Sequence, residues 1–191
     1  MSGVSLAQAN ADVVTDFLLV GGDLSFDLAS AAAEAAQLVR AGVTLVIDCR
    51  EEAVEELWAG IPAVTYRWDG IDDAGQRVPA AWFTRITDAA HTAIRAGGVV
   101  LTHCHMGINR GPRAGFAVLL REDWDPVDAL DAIRAARPIA VMAYAEDALE
   151  WHLDRIGADE PVRHDAHRRV RRWRAANPLP MSRALALSRA R

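Results

Sequence analysis

The chain has 191 residues, of which 51% are hydrophobic, and its formal net charge is −5. That length supports one well-buried core and is short for two full domains. Two cysteines exclude a disulfide framework and a zinc site built from cysteine pairs, and no stretch has the apolar length of a membrane span or a secretory leader. The sequence therefore predicts a cytoplasmic protein with no membrane partner.

Charge is unevenly distributed along the chain. Residues 158–191 carry a net charge of +6 when His is taken as neutral, and their basic side chains are then all arginines. The rest of the chain therefore carries a net charge of −11. We therefore divide the chain into a main domain, 1–157, and a basic C-terminal extension, 158–191, part of which is predicted to be helical. The simpler interpretation is that this helix packs on the acidic main domain; the alternative is binding to nucleic acid or anionic lipid.

Strand-like and helical patterns alternate in the first half of the chain. Short apolar runs rich in β-branched residues predict buried strands at 17–21, 43–49, 63–68 and 98–103. Between them, helical patterns cover 27–41 and 80–95. This alternation predicts an α/β fold with a central, mainly parallel sheet and helices on both faces.

The pattern becomes purely helical after residue 110. Helices are predicted at 112–122, from Asp125 to Pro138, and at 140–156. Asp125 is a suitable N-cap, and Pro126 fits the first turn that follows it. The sheet is therefore expected to be followed by a C-terminal helical bundle.

A tight loop joins the last predicted strand to this bundle. It begins at Cys104 and ends at Arg110, with Gly107 between them. In open parallel sheets ligands bind at this edge, where loop amides and the start of the next helix favour an anion. Arg110 can pair with two oxygens of a phosphate, and the same surroundings favour the thiolate form of a cysteine.

These residues resemble a known signature. His103-Cys104-x-x-Gly107-x-x-Arg110 matches the H-C-x-x-G-x-x-R motif of the cysteine-dependent protein tyrosine phosphatases. Further similarity points to their dual-specificity branch: Leu18 to Gly22 resembles its first strand, Tyr66 leads to an Asp seven residues later, and Ala132 to Pro138 resembles a late helix end. The resemblance covers roughly residues 15–157, which would make 1–157 a phosphatase domain with the fold of that family.

The resemblance implies a two-step reaction without a metal or other cofactor. Cys104 would attack phosphorus to form a cysteinyl-phosphate, and Asp73 would protonate the leaving oxygen and then activate water. His103 would support the nucleophile by orienting the loop through hydrogen bonds. The phosphate would be bound by the loop residues, namely His105, Met106, Gly107, Ile108, Asn109 and Arg110.

Several assignments stay open at this stage. Asp72, and less so Asp69, are alternatives to Asp73 as the acid, because only spacing separates them. His105 and Asn109 either shape specificity or face solvent, and the two arginines further along the helix, Arg113 and Arg121, are expected at the surface. A metal site at His103 and His105 is not predicted, because no further ligands have suitable spacing.

Two residues near the loop raise separate hypotheses. Cys49 ends a strand of the same sheet, so it is either a small buried residue or a redox partner that forms a reversible disulfide with Cys104. Gly111 stands where family members usually carry a Ser or Thr whose hydroxyl assists the second step. Its absence predicts slow hydrolysis of the phosphoenzyme.

The sequence therefore predicts a metal-independent phosphatase acting on phosphotyrosine, and on phosphoserine or phosphothreonine, in a phosphorylated protein or peptide. Nucleic acid is not the favoured partner, and a loop without lysine disfavours inositol lipids. Two alternatives remain: a phosphate-binding pseudophosphatase module, and an RNA or nucleotide 5′-phosphatase, because residues 107–110 resemble the loop of cysteine-dependent RNA triphosphatases.

Overall fold

A computed structural model describes residues 6–52 and 56–188. Its centre is a five-stranded sheet in the order β1-β2-β5-β3-β4, in which β1 is antiparallel to β2 and the other neighbours are parallel. The strands are β1 Ala11–Val13, β2 Leu18–Gly21, β3 Val43–Asp48, β4 Thr65–Trp68 and β5 Val99–His103. The predicted α/β class with a mainly parallel sheet is confirmed.

Seven helices and one short 3₁₀ helix, Glu56–Gly60, surround this sheet in the described part of the chain. The helices are α1 Leu28–Arg40, α2 Ala80–Arg95, α3 Arg110–Arg121, α4 Pro126–Ala136, α5 Ala145–Arg155, α6 Glu160–Ala176 and α7 Met181–Ser188. Among these residues no helix combines the length and the apolar character needed to cross a bilayer.

Alternating strand residues build two cores, one on each face of the sheet. Leu19, Val46 and Leu101 point to the face covered by α1 and the 3₁₀ helix. Their chain neighbours belong to the opposite, larger core formed with α2 to α6; they are Leu18, Ile47 and Val100. Because successive strand side chains point to opposite faces, strands that are apolar at consecutive positions must be covered on both.

Helix α3 is enclosed by the sheet and by α2, α4 and α5, and its residues from Arg110 to Leu120 are buried. Two glycines one turn apart permit this close packing. A Cβ at Gly115 would lie 2.8 Å from Val20 Cγ2, and one at Gly111 would lie 3.0 Å from the Cα of His103. The start of α3 is therefore held directly against the end of β5.

The structure departs from the sequence interpretation most clearly in one strand and at the start of one helix. Strand β1 is missing from the sequence interpretation because three residues are too few to show an alternating pattern. Helix α5 begins at Ala145 rather than 140, because the preceding backbone bonds to the phosphate-loop segment instead: Val141 N donates to Ile108 O at 2.7 Å and Ala143 N to Asn109 Oδ1 at 2.7 Å.

The basic extension contains two helices. Helix α6 contributes Ala166, Val170 and Trp173 to the larger core. Several of its arginines pair with earlier acidic side chains, for example Arg163 with Glu150 of α5 at 3.0 Å and Arg169 with Asp125, the N-cap of α4, at 2.8 Å. Helix α7, which the sequence pattern left undefined, is anchored by the buried Ala184. The extension thus packs against the rest of the chain, and a boundary at residue 157 stays a prediction.

Candidate active site

The loop 104–109 lies at the carboxyl edge of the sheet, between the end of β5 and the start of α3. Cys104 is 3% exposed and is the first residue after the strand, while Arg110 opens the helix. The neighbouring parallel strands β2 and β3 end at the same edge, which is where ligands bind in open α/β sheets. The sequence motif is therefore located as its spacing predicted.

A buried arginine holds the loop from behind. Arg137 donates to the carbonyl oxygens of Gly107 at 2.6 Å and Met106 at 3.0 Å, and it pairs with Asp12 at 2.6 Å. Because a trans peptide directs its N–H opposite to its carbonyl, the amides of Gly107 and Ile108 point away from Arg137, toward the inside of the loop. The sequence interpretation noted Arg137 as a helix end and missed this function.

The close contact between the loop and Arg137 requires a glycine at position 107. Its φ is +63°, and a Cβ there would lie 2.3 Å from Arg137 Nη2. The left-handed backbone and the close guanidinium both favour glycine.

The side chains of two loop residues face away from the centre of the loop. Ile108 is buried against Ile139 and Ala184, and Met106 packs on the same cluster beneath α7. These residues can bind a phosphate through their backbone amides, and their side chains instead fix the outer face of the loop.

Arg110 is held by a carboxylate that the sequence interpretation did not single out. Glu52, in the loop after β3, accepts from Nη1 at 2.6 Å and from Nη2 at 2.7 Å, and Nη1 also donates to Ile71 O at 3.3 Å. These contacts use the end of the guanidinium. Its Nε–H is the donor that these contacts leave unused, since Nε has no hydrogen-bond partner among residues 6–52 and 56–188.

The ion pair between Glu52 and Arg110 shifts the pKa of both groups. Hydrogen bonding to Arg110 lowers the pKa of Glu52 from 4.5 to about 2. The pKa of Arg110 is raised, first by those hydrogen bonds and also by the proximity of Cys104 and Asp73. Cys104 and Asp73 therefore both lie within electrostatic reach of Arg110.

Asp73 lies beside the Nε of Arg110. Its Oδ2 is 3.9 Å from Arg110 Nε, its Oδ1 accepts from Asn109 Nδ2 at 2.5 Å, and its carbonyl accepts from the Tyr144 hydroxyl at 3.3 Å. Asn109 is buried, and its amide joins Asp73 to the backbone before α5. Asn109 therefore does not face solvent.

The two alternative acids have other contacts. Asp72 is exposed and accepts from the backbone N–H of Asp73 at 2.6 Å. Asp69 pairs with Arg67 at 3.0 Å and with Arg85 at 3.4 Å. The geometry favours Asp73 over both as the candidate acid.

His103 and His105 differ from each other in their surroundings. His103 is buried, burial lowers its pKa, and neither ring nitrogen has a hydrogen-bond partner within the described residues. The expected hydrogen bonds from this ring to the loop are therefore not made within those residues, and its Nε2 lies 3.7 Å from Asp48 Oδ2 instead. The half-exposed ring of His105 pairs with Asp23.

Both cysteines are free thiols. Cys49 is fully buried, and its pKa is raised well above the ordinary value by burial, with a further contribution from the nearby Cys104. A neutral thiol thus lies next to the proposed nucleophile, and its redox role stays a prediction.

Arg113 contradicts the expectation of a surface charge. Its side chain is completely buried, and its guanidinium lies over the rings of Tyr144 and Trp82, with centroids at 4.9 and 5.4 Å. A helix buried on all sides cannot expose a residue in its first turn.

Within the described part of the chain, no group of three or more His, Cys, Asp or Glu residues is placed to hold a metal ion.

No family model and no curated protein sequence matches this chain. Solved structures do match. They include human DUSP28, with a TM-score of 0.65 at 24% identity over 78% of this chain and 96% of that one. PTPMT1 in complex with PI(5)P gives 0.64 at 18% identity, covering 76% and 96% of the two chains.

A third similar structure is the human tyrosine phosphatase-like serine/threonine/tyrosine-interacting protein, with a TM-score of 0.59 at 17% identity over 76% of this chain and 97% of that one. These likenesses and the sheet order agree with the family resemblance that the motif indicated. The chain has the fold of the dual-specificity cysteine phosphatases.

Proposed function

We propose that this protein is a metal-independent phosphatase that hydrolyses phosphomonoesters of a phosphorylated protein or peptide through a cysteinyl-phosphate. The observation that carries the proposal is the arrangement at one point of the sheet edge: Arg110 Nε, which makes no hydrogen bond within the described residues, lies 3.9 Å from Asp73 Oδ2, and Cys104 begins the same loop. A phosphoryl group bound by that Nε–H and by the loop amides would lie between a nucleophile and an acid.

The first step follows from these positions. The Cys104 thiolate forms a bond to phosphorus as the bond to the leaving oxygen breaks, and Asp73 gives its proton to that oxygen. Arg110 and the inward amides stabilise the charge on the equatorial oxygens. In the second step Asp73, now ionised, takes a proton from water, the water oxygen bonds to phosphorus, and the thiolate leaves.

Hydrolysis of para-nitrophenyl phosphate in the presence of EDTA tests this function. We expect steady turnover by the wild type, no turnover by Cys104→Ser, and a loss of about 10²-fold in kcat for Asp73→Asn. Asp72→Asn is the matched control, because it removes the neighbouring carboxylate and should change kcat less than twofold. An inactive wild type, or activity that survives Cys104→Ser, would refute the proposal.

Gly111 favours a second candidate, a module that captures phosphorylated partners and turns over poorly. The position after Arg110 has no hydroxyl to assist departure of the thiolate. Stable binding of a phosphopeptide by the wild type without release of phosphate would support this module. A panel of phosphopeptides, phosphoinositides and 5′-phosphorylated RNA would then identify the substrate class of an active enzyme.

A further inference from the structure

Arg113 is buried in a way that needs a physical reason. Its side chain has no solvent exposure, and none of its three guanidinium nitrogens has a hydrogen-bond partner in the part of the chain that the structure describes. Removing a cation from water costs several kcal/mol unless other interactions compensate. The residues that follow it in α3, from Ala114 to Leu120, are apolar or glycine, so packing alone does not require a charge here.

Two aromatic rings supply part of the compensation. The guanidinium lies over the rings of both Trp82 and Tyr144, at 5.4 and 4.9 Å from their centroids, within the range of cation–π attraction. Burial lowers the pKa of Arg113, whereas the proximity of Cys49, and then of Asp73, opposes that change. The side chain stays charged because an arginine titrates so far above neutral pH.

Both rings are also bonded to the segment that carries Asp73. Trp82 Nε1 donates to the carbonyl of Asp69 at 2.8 Å, and the Tyr144 hydroxyl donates to the carbonyl of Asp73 at 3.3 Å. We call residues 69–78 the acid loop. The stack of Trp82, Arg113 and Tyr144 thus connects the rigid helix α3 to two points of this loop.

We propose that Arg113 is a positioning residue that holds the acid loop, through Trp82 and Tyr144, so that Asp73 faces the phosphate site. This inference rests on the proposed function, because it assigns to Asp73 the protonation of the leaving group. Arg113 itself is inaccessible to a substrate and touches none of the reacting atoms. Arg113 acts by fixing the two aromatic rings. Its guanidinium suits this role because it is flat and can pack against both rings.

Leaving groups of different acidity provide the first test. A dinitrophenyl phosphate releases a phenolate that needs no proton, whereas phenyl phosphate releases a basic one that does. For Arg113→Met and Arg113→Lys we expect kcat/KM with phenyl phosphate to fall about tenfold, because protonation of that leaving group depends on the alignment of Asp73. With the dinitrophenyl ester we expect kcat/KM to fall less than twofold. Arg121→Met, in the last turn of the same helix, is the control and should change neither.

Hydrogen exchange provides a second test that does not depend on turnover. In Arg113→Met the amides of the acid loop should exchange several-fold faster than in the wild type, while those in the second half of α3 keep their protection. Arg113→Lys keeps the charge without the flat face and should show the same selective effect, which guards against a variant that fails to fold.

The outcomes separate the two proposals. Equal losses with both esters, or unchanged exchange in the acid loop, would overturn the role of Arg113. A wild type that cleaves neither ester would refute the proposed function, and faster exchange confined to the acid loop would still support Arg113 as its holder.

Discussion

Replacing Glu52 by glutamine tests how Arg110 is held ready for a phosphate. The carboxylate binds both terminal nitrogens of the guanidinium and leaves the Nε–H unused. If this pair fixes Arg110 in its binding orientation, Glu52→Gln should weaken both catalysis and phosphate binding. If Glu52 instead competes with phosphate, the same variant should strengthen both.

The magnitude follows from the titration of Glu52. The fall of its pKa from 4.5 to about 2 corresponds to ~3.4 kcal/mol before screening. The Glu52 side chain is 51% exposed, so water and salt reduce the interaction to about 1 kcal/mol. A loss of about 1 kcal/mol in the transition state is roughly a fivefold decrease in kcat/KM.

The assay is kcat/KM with para-nitrophenyl phosphate, together with the inhibition constant of inorganic phosphate. Both should change about fivefold in the unfavourable direction for Glu52→Gln. Glu51→Gln is the matched control, because it makes the same change of charge at the preceding, exposed position. Tighter phosphate binding in Glu52→Gln would refute the positioning argument.

The pH dependence of stability gives an independent check. A carboxyl whose pKa is depressed in the folded state stabilises the fold above its unfolded pKa, and this contribution is lost as the pH falls through the folded value. For Glu52 that interval runs from 4.5 down to about 2. The difference in unfolding free energy between wild type and Glu52→Gln should therefore be about 1 kcal/mol at neutral pH and should disappear toward the lower limit.

Three further predictions concern the loop and the extension. Gly107→Ala should lower the free energy of unfolding by about 2 kcal/mol and nearly abolish turnover, because the new Cβ combines left-handed backbone strain with a clash against Arg137. The control Gly60→Ala, which has open space around it, should do neither, and an equal change of melting temperature in the two variants would contradict this reasoning. Trp173→Ala should cost about 3 kcal/mol in denaturant unfolding, because its ring belongs to the larger core; a loss no greater than that of the exposed Arg172→Ala would mean that α6 is not docked. Gly111→Ser should raise steady turnover and reduce the burst if the missing hydroxyl limits the second step, and an unchanged burst and steady rate would reject that hypothesis. The added Cβ lies 3.0 Å from the His103 backbone and should lower the free energy of unfolding by about 1 kcal/mol. The control Gly111→Ala should show this loss of stability alone.

Local sequence patterns were sufficient for the four parallel strands and for the position of the loop. Runs such as 43–49 and 98–103 are apolar at consecutive positions, which only a strand covered on both faces requires, and glycines and charges mark their ends. The loop 104–110 could be located because a strand precedes it and a helix follows it. These are short-range signals, and the structure places both features accordingly.

The contacts that hold the site are long-range, and no local pattern reports them. Glu52 and Arg110 are 58 residues apart, and Arg137 and Asp12 are 125 residues apart. One signal for Glu52 was available: it follows a parallel strand that ends at the same sheet edge as Cys104. The apolar run after Arg113 also indicated a helix buried on all sides, which excludes a surface position for that arginine.

The charges that stabilise the site are separate from those that would perform the reaction. Arg137 binds the loop carbonyls from behind, Glu52 binds the far end of Arg110, and Arg113 fixes the rings that hold the acid loop. These contacts are made within the described chain itself, and none of them takes up the Nε–H of Arg110 as a hydrogen-bond donor. Contacts of this kind order the loop as part of folding, so less of the free energy of phosphate binding would be needed to order it and more would remain to stabilise the transition state.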